Sequence, residues 1–261
     1  MEELSQRWQK LSLTDTEGTK FDLSKEKQSS EFVLAGKFFT RRAINTEAFA
    51  KTFRPLWRTR RNFKIRAAGD NIALFAFELE ADVKKVLHGE PWMYDRYLVA
   101  LERYDGLKPA NELSFCKTAF WIQIHDLPFS LLTREVALSL RATLGTLIKP
   151  VDNLEMRGGN FVRVCVVVDI SKPLSRGRMV SWDQDTEGWV SYRHERLPNL
   201  CYWCDSLTHD DKDCMVWLNN EGSLSMEDQQ YRPWLWTPQF NRAKKLVVEV
   251  LGFDKPKSGR A

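Results

Sequence analysis

Cys201, Cys204, His209 and Cys214 have the types and the spacing of metal ligands, C-x2-C-x4-H-x4-C. Zn²⁺ takes thiolate sulfur and imidazole nitrogen at about 2.0–2.3 Å in a tetrahedron. Two residues between the first cysteines let both thiolates face one point across a tight turn. The four-residue spacers bring His209 and Cys214 back around it. A segment this short cannot bury a core, so metal binding itself supplies its folding energy. The spacing therefore predicts a zinc knuckle holding one Zn²⁺ on Cys201, Cys204, His209 and Cys214.

The knuckle is acidic. Lys212 is its one base, set against Asp205, Asp210, Asp211 and Asp213, and three thiolates with Zn²⁺ add further negative charge. Such a loop repels phosphates unless neighbours compensate. Tyr202 and Trp203 are placed either to stack on exposed bases or to pack over the metal loop against Leu197 and Pro198.

The strongest basic cluster lies elsewhere, at Arg54, Arg58, Arg60, Arg61, Lys64 and Arg66, with Trp57 and Phe63 interleaved and no acidic residue from 54 through 68. Guanidinium groups bind phosphates bidentately and stack on bases. The alternative is a solvated charged face. Lys172, Arg176 and Arg178 form a weaker group. Nucleic acid, single-stranded RNA or DNA, is the partner this pattern suggests.

Signatures of catalysis are missing. The sequence has no G-x-x-x-x-G-K-[ST] loop, no G-x-G-x-x-G after a strand and no G-x-S-x-G elbow. The deaminase pattern is absent despite Cys201-x-x-Cys204. His125-Asp126 sits at a strand end before Leu127-Pro128, where turn chemistry suffices to explain it. The expectation is a protein that is not an enzyme, with no catalytic residues.

The elements that must position these groups are legible in outline. Residues 32–39 read as a strand with Gly36 as a bulge or bend. Asn45 caps a helix carrying Ala48, Phe49, Phe53 and Trp57, with Pro55 kinking or shortening it. Residues 63–67 and 72–77 are strands around the turn Gly69-Asp70-Asn71. A second helix carries Ala81, Val83, Val86 and Leu87 and ends near Gly89, and residues 97–101 form a fourth strand. The order β-α-β-β-α-β is the split βαβ, ferredoxin-like or RRM-like arrangement. RRM domains stack bases on exposed strand aromatics; here Phe75 and Phe77 are expected in the core, leaving Ile72 and Leu74 outward.

A second cycle follows, with a strand at 119–125, a helix from Thr133 through Leu144 closed by Gly145, strands at 147–154 and 161–170 around the turn at 157–160, and a hairpin of 179–182 with 189–192. The expected organisation is an N-terminal arm (1–30), in which Leu11, Leu13, Phe21 and Leu23 suggest a short strand, an RRM-like α/β domain (31–104), a linker (105–117), a β-rich α/β region (118–196), the CCHC knuckle (197–218) and a C-terminal tail (219–261). The fold class is α+β. Cys165 is expected as a small core residue and Cys116 as an unpaired thiol.

Composition fits a folded chain. Of 261 residues, 43% are hydrophobic and 28% charged, and the net charge of +4 is too small by itself to require a polyanion partner. Five cysteines, four residues of the chain being set as ligands, argue for a reducing compartment, nucleus or cytoplasm. No N-terminal signal pattern and no apolar run long enough for a bilayer are present, so no membrane association is expected. Ten tryptophans, with the aromatic run Tyr231-Arg232-Pro233-Trp234-Leu235-Trp236, suit a second reading, a scaffold whose knuckle and tail dock a protein partner or a second copy.

Several segments together resemble a plant family that joins a domain of unknown function to a C-terminal CCHC zinc knuckle. They are Phe53-Arg54-Pro55-Leu56-Trp57, Gly69-Asp70-Asn71, Phe75-Ala76-Phe77-Glu78, Gly89-Glu90-Pro91-Trp92, Trp121-Ile122-Gln123-Ile124-His125-Asp126-Leu127-Pro128, Gly158-Gly159-Asn160-Phe161-Val162-Arg163-Val164, Asp169-Ile170-Ser171-Lys172-Pro173-Leu174 and Glu195-Arg196-Leu197-Pro198-Asn199-Leu200-Cys201-Tyr202. Members of that family resemble the first open reading frame product, or the reverse-transcriptase N-terminal region, of LINE-type retrotransposons. The resemblance implies an RRM-like N-terminal fold, a nucleic-acid role in a transposon-derived protein, and ligation by the four residues already named. Two positions depart from the pattern: Asp205 and Thr208 stand where such knuckles usually carry glycine, which turns the backbone tightly round the metal.

Overall fold

The computed structural model describes residues 31–141, 144–147, 159–220, 223–229 and 231–240. The expected N-terminal arm, residues 148–158 of the expected strand and turn, and the tail beyond residue 240 lie outside the described residues. Glu31 closes a separate N-terminal unit, and everything below belongs to the second unit, Phe32–Ala261. The fold is mixed α+β, with two β-sheets, few helices and a zinc knuckle.

The first sheet runs β2-β3-β1-β5-β4 and all its pairings are antiparallel. Its strands are β1 (Phe32–Phe38), β2 (Phe63–Ala67), β3 (Ile72–Phe77), β4 (Trp92–Tyr94) and β5 (Tyr97–Tyr104). Helix α1 (Thr46–Trp57) starts where Asn45 Oδ1 accepts from the amides of Glu47 and Ala48, and α2 (Glu80–His88) follows β3. Pro55 falls in the last turn of α1, where the helix runs on to Trp57 before Arg58 closes it in a left-handed conformation. Phe49, Phe53 and Trp57 from α1 and Val83 and Val86 from α2 bury one face of the sheet over Phe75, Phe77 and Leu34. Phe75 and Phe77 thus lie in the core, on the side the sequence assigned them; of the two residues expected outward, Leu74 is half-buried and Ile72, at the start of β3, is buried.

Gly36 is not a bulge. It keeps register with Ala73 on one side and Leu101 on the other. Its hydrogen leaves room for the Phe75 ring, which a Cβ would meet at 2.7 Å, with Leu101 Cδ2 at 3.0 Å. Strand β4 is an element that the alternation in the sequence did not announce, being only three residues long.

The second sheet runs β11-β10-β6-β8-β7, with β9 paired to β10. It comprises β6 (Lys117–His125), β7 (Thr146–Leu147), β8 (Val162–Asp169), β9 (Gly177–Ser181), β10 (Glu187–Glu195) and β11 (Trp236–Thr237). The hairpin expected near 179–192 is present, with Trp189 opposite Met179. Helix α3 (Arg134–Arg141) begins after Thr133, whose hydroxyl accepts from Val136 N at 3.3 Å. The expected tail is corrected at Trp236–Thr237, which pair parallel to β10 and so add an edge strand that no sequence alternation marks. Cys165 is also corrected: it is half-buried, because β8 turns Val164 and Val166 to the core and Cys165 to the other face.

The two sheets share an interior. Leu98 and Ala100 of β5 belong to the same buried cluster as Phe120, Ile122, Ile124 and Val164. Arg196 Nη2 donates to the carbonyl oxygens of Gly89 and Glu90, and Glu90 Oε2 accepts from Ala119 N at 3.1 Å. The second sheet carries a polar layer on the face away from this core. There Arg163 and Glu195, 3% and 2% exposed, pair at 2.8 Å, Gln123 Nε2 donates to Glu195 Oε1, and the Arg163 guanidinium lies 3.9 Å from the Trp121 ring centre.

Two outcomes follow for stability. Gly36→Ala is expected to lose about 1–3 kcal/mol by overpacking against Phe75, read as a lower urea midpoint at unchanged slope. Burial pushes the Glu90 carboxyl from 4.5 up to about 8. A carboxyl whose folded value is raised stabilises fully below its unfolded value and loses that contribution as pH rises through the folded one. Glu90→Gln, which keeps the shape of the protonated acid, is expected to flatten the fall in wild-type stability between pH 4.5 and about 8, checked by urea unfolding across that range.

Candidate metal centre and basic groove

The knuckle starts as β10 ends. Leu197 and Leu200 enter the second-sheet core, and Leu207 joins them from inside the loop. Cys201 N donates to Ser206 O at 2.9 Å and Asp205 N to Cys201 O at 2.8 Å, which closes the first turn. A short 3-10 turn (Asp211–Asp213) then leads to Cys214 and to helix α4 (Met215–Asn219). One ligand atom from each of Cys201, Cys204, His209 and Cys214 lies within 4.8 Å of all the others. Cys204 Sγ and His209 Nε2 are 3.3 Å apart, close to the roughly 3.5 Å edge of a tetrahedron drawn with zinc bond lengths. Three sulfurs and one imidazole are a donor set for zinc and not for magnesium or calcium.

The thiols need a cation. Burial raises Cys201 and Cys204 above the ordinary thiol range. Burial also acts on Cys214, but the amides of Trp217 and Val216 and the neighbouring Cys201 outweigh it and bring that thiol down. A bound divalent ion deprotonates coordinating thiols outright.

The two departures from glycine have structural uses. Asp205 adopts φ +60°, a left-handed conformation that Asp tolerates better than most side chains, and its carboxylate, 1% exposed, accepts the Leu174 amide on the preceding loop. Thr208 Oγ1 is 3.3 Å from His209 Nδ1 and also meets Ser206 Oγ. A hydroxyl accepting from Nδ1–H leaves Nε2 unprotonated and turned to the metal, the usual way an outer group orients a ligating histidine.

The acidic residues are largely engaged already. Asp211 Oδ1 accepts from Tyr202 N at 2.6 Å and Asp210 Oδ1 from Asp211 N at 2.7 Å. Asp213 pairs with Arg41 at 2.9 Å. Trp203 is stacked on Trp217, ring centres 4.9 Å apart and 19° between planes. Tyr202 is half-buried at the edge of the second core. Tyr202 lines an open cleft.

Three of the six sequence-predicted basic residues come together around one groove, while Lys64 and Arg66, alternating with Phe63 and Ile65 on β2, lie on the other face of the sheet. Arg54, Arg60 and Arg61 line a depression of about 670 Å³ between α1 and β2, floored by Phe63 and Ile65, with Glu47 from the first turn of α1 also on its wall. Arg58, Lys64 and Arg66 are exposed nearby, on the α1 cap and on edge strand β2. The decisive residue was not anticipated. Asp82 of α2, 1% exposed, accepts the backbone amides of Arg60 and Arg61 at 2.9 and 3.1 Å. It holds the loop by its main chain. Sequence could not supply this, since residue 82 reads only as a charged position in a helix. Among the described residues, Arg54, Arg60, Arg61 and Arg66 have no ion pair.

Among the described residues, no hydrogen bond joins His125 to Asp126. Burial, with help from Arg193, pushes the His125 imidazole down to about 4, and its Nε2 is 3.1 Å from Gln123 Oε1. Asp126 sits at φ +64° in the turn beyond the strand.

Comparison with known proteins agrees with this division. Residues 26–111 match a family model described as a domain of unknown function (DUF4283). Residues 168–216 match a model described as a zinc knuckle. The chain joins a region of the first kind to a CCHC zinc knuckle. The knuckle match begins well before Cys201, so it spans the β9–β10 hairpin that carries the metal loop as well as the ligands. An uncharacterized protein of Arabidopsis thaliana is 24% identical over 141 residues, 52% of this chain and 43% of that relative, so the chain spans less than half the relative's length. No solved structure matches. No helix among the described residues is long and apolar enough to cross a membrane.

The purified chain is expected to hold one zinc per molecule by metal analysis. Cys214→Ser should abolish stoichiometric retention. Thr208→Val should weaken zinc binding by about 10–100-fold, the usual cost of removing a histidine's outer partner, read by competition with a chelator.

Proposed function

We propose that the chain is a non-catalytic, zinc-containing protein that binds single-stranded RNA or DNA, with phosphates running past the α1–β2 loop. The observation that carries this reading is the Asp82 carboxylate on the amides of Arg60 and Arg61. Asp82 orders the loop through its main chain, and among the described residues Arg54, Arg60 and Arg61 form no ion pair, which favours their guanidiniums as phosphate contacts. Phosphate contact by such groups dominates nucleic-acid affinity.

The strand order β2-β3-β1-β5 with two helices on one face supports the RRM-like, split βαβ reading of the first sheet. Base stacking on the sheet surface fits less well. That face carries Lys37, Lys64, Arg66, Leu74 and Ala76, with Tyr104 as an aromatic at the end of β5, and its β5 side, at Leu98 and Ala100, is covered by the second core. The loop and groove are the better interface. A retrotransposon origin and a nuclear or cytoplasmic setting belong to the same proposal and rest on the sequence motifs and cysteine usage.

A second reading, a scaffold for a protein partner, is favoured by Met215, Val216 and Leu218 of α4 and by Trp234 and Trp236, all substantially exposed.

Fluorescence anisotropy with labelled single-stranded oligonucleotides separates the two. The wild-type chain is expected to bind with strong salt dependence. Replacing Arg54, Arg60 and Arg61 with Ala together should weaken binding and shrink the slope of log affinity against log salt by about 0.7 for each phosphate no longer neutralised. Affinity indifferent both to salt and to the triple replacement would leave the scaffold as the surviving reading.

A further inference from the structure

The knuckle, the turn between β4 and β5 and the chain before β11 enclose a second cleft, of about 640 Å³. We infer that this cleft receives an unstacked base of a single strand, with Trp236 and Tyr202 as its stacking surfaces and Arg96 and Arg232 holding the adjoining phosphates; the inference rests on the nucleic-acid reading above. Its volume lies in the roughly 300–1,000 Å³ range of sites that hold small ligands.

Its chemistry is that of single-strand recognition, aromatic faces beside guanidiniums. Trp236 is 52% exposed although it lies on a strand paired with β10, while its neighbour Leu235 is fully buried. The anchored Leu235 and the parallel pairing fix where the Trp236 ring stands. Tyr202 is positioned in turn by the hydrogen bond that its backbone N–H donates to Asp211 Oδ1. Arg96 is exposed at φ +68° in the turn, and its carbonyl accepts from Asn199 N at 2.8 Å, which ties that turn to the strand entering the knuckle. The Arg232 guanidinium lies 5.7 Å from the Trp234 ring centre, beside the cleft.

The two acids on its wall are tied to the main chain, Asp211 accepting from Tyr202 N and Asp210 from Asp211 N, and so order the metal loop beside the cleft. Trp203, the other aromatic of the metal loop, is already covered by Trp217. The base-stacking surface is therefore a composite of the knuckle and the tail. It is not the knuckle alone, since Trp236 lies outside the segment that matches the zinc-knuckle model.

The test uses the full zinc-loaded chain with a labelled oligothymidylate and an abasic oligomer of the same length, which keeps the phosphates and lacks the bases. Trp236→Leu is expected to weaken oligothymidylate binding at least about fivefold, the loss of one stacked base, and to leave abasic binding and zinc content unchanged. Arg96→Ala is expected to weaken both oligomers and to reduce the salt slope. Equal effects of Trp236→Leu on the two oligomers, or no effect of either variant while the triple arginine variant is impaired, would overturn the cleft and leave the nucleic-acid reading standing. Failure of the wild-type chain to bind either oligomer would overturn both. A dimer in light scattering that Trp236→Leu dissolves would assign the cleft to a second copy of the chain and overturn its role in base binding.

Discussion

Residues 201–214 have no interior of their own, and their shape has to come from a metal ion inside and a protein surface outside. Three thiols and an imidazole converge within 4.8 Å, an arrangement that burial makes unfavourable for free thiolates and that a divalent cation makes favourable. The outer support is as specific. Leu200 and Leu207 enter the second-sheet core, and the Asp205 carboxylate takes the Leu174 amide. Zinc knuckles are often drawn as beads on a flexible string. This one is built into the end of a sheet, and its orientation is set by the strand that precedes it.

A second theme is where carboxylates put their charge. Asp82 holds the amides of Arg60 and Arg61, Asp211 that of Tyr202, and Asp205 that of Leu174. In each case an acid close to a candidate binding surface is turned to the main chain. Each acid thereby orders the loop that forms the edge of its surface. A carboxylate accepting backbone N–H groups makes strong, short hydrogen bonds that order the loop.

The two sheets depend on each other. Leu98 and Ala100 sit in a core made mostly by β6, β8 and β10, and Arg196 reaches back to the carbonyls of Gly89 and Glu90. This packing has a functional consequence, since it occupies part of the sheet face that an RRM-like domain would offer to bases. Under the nucleic-acid proposal, binding falls to loops and clefts at the rim, where the basic groove and the composite cleft lie.

The metal ligands were legible because tetrahedral coordination by a short loop restricts spacing, and spacing is a property of sequence. The helices around Phe49 and Val83 and the strand at 72–77 were legible for a similar reason, since burial on one face imposes a period. Local pattern said nothing of what long-range packing decides. Gly36 looked like a bend and is a notch for the Phe75 ring. Trp236–Thr237 looked like tail and form an edge strand. Trp203 looked available to a base and is stacked on Trp217. Asp82 looked like any surface acid and fixes the basic loop. By itself the sequence determined the chemistry of the zinc ligands and the inward faces of the main elements, because both are set by neighbours a few residues apart. Only the tertiary structure decided which acids meet amides, which aromatics stay uncovered and how the knuckle is held, because those contacts join residues separated by tens of positions and depend on the shape of the packed core.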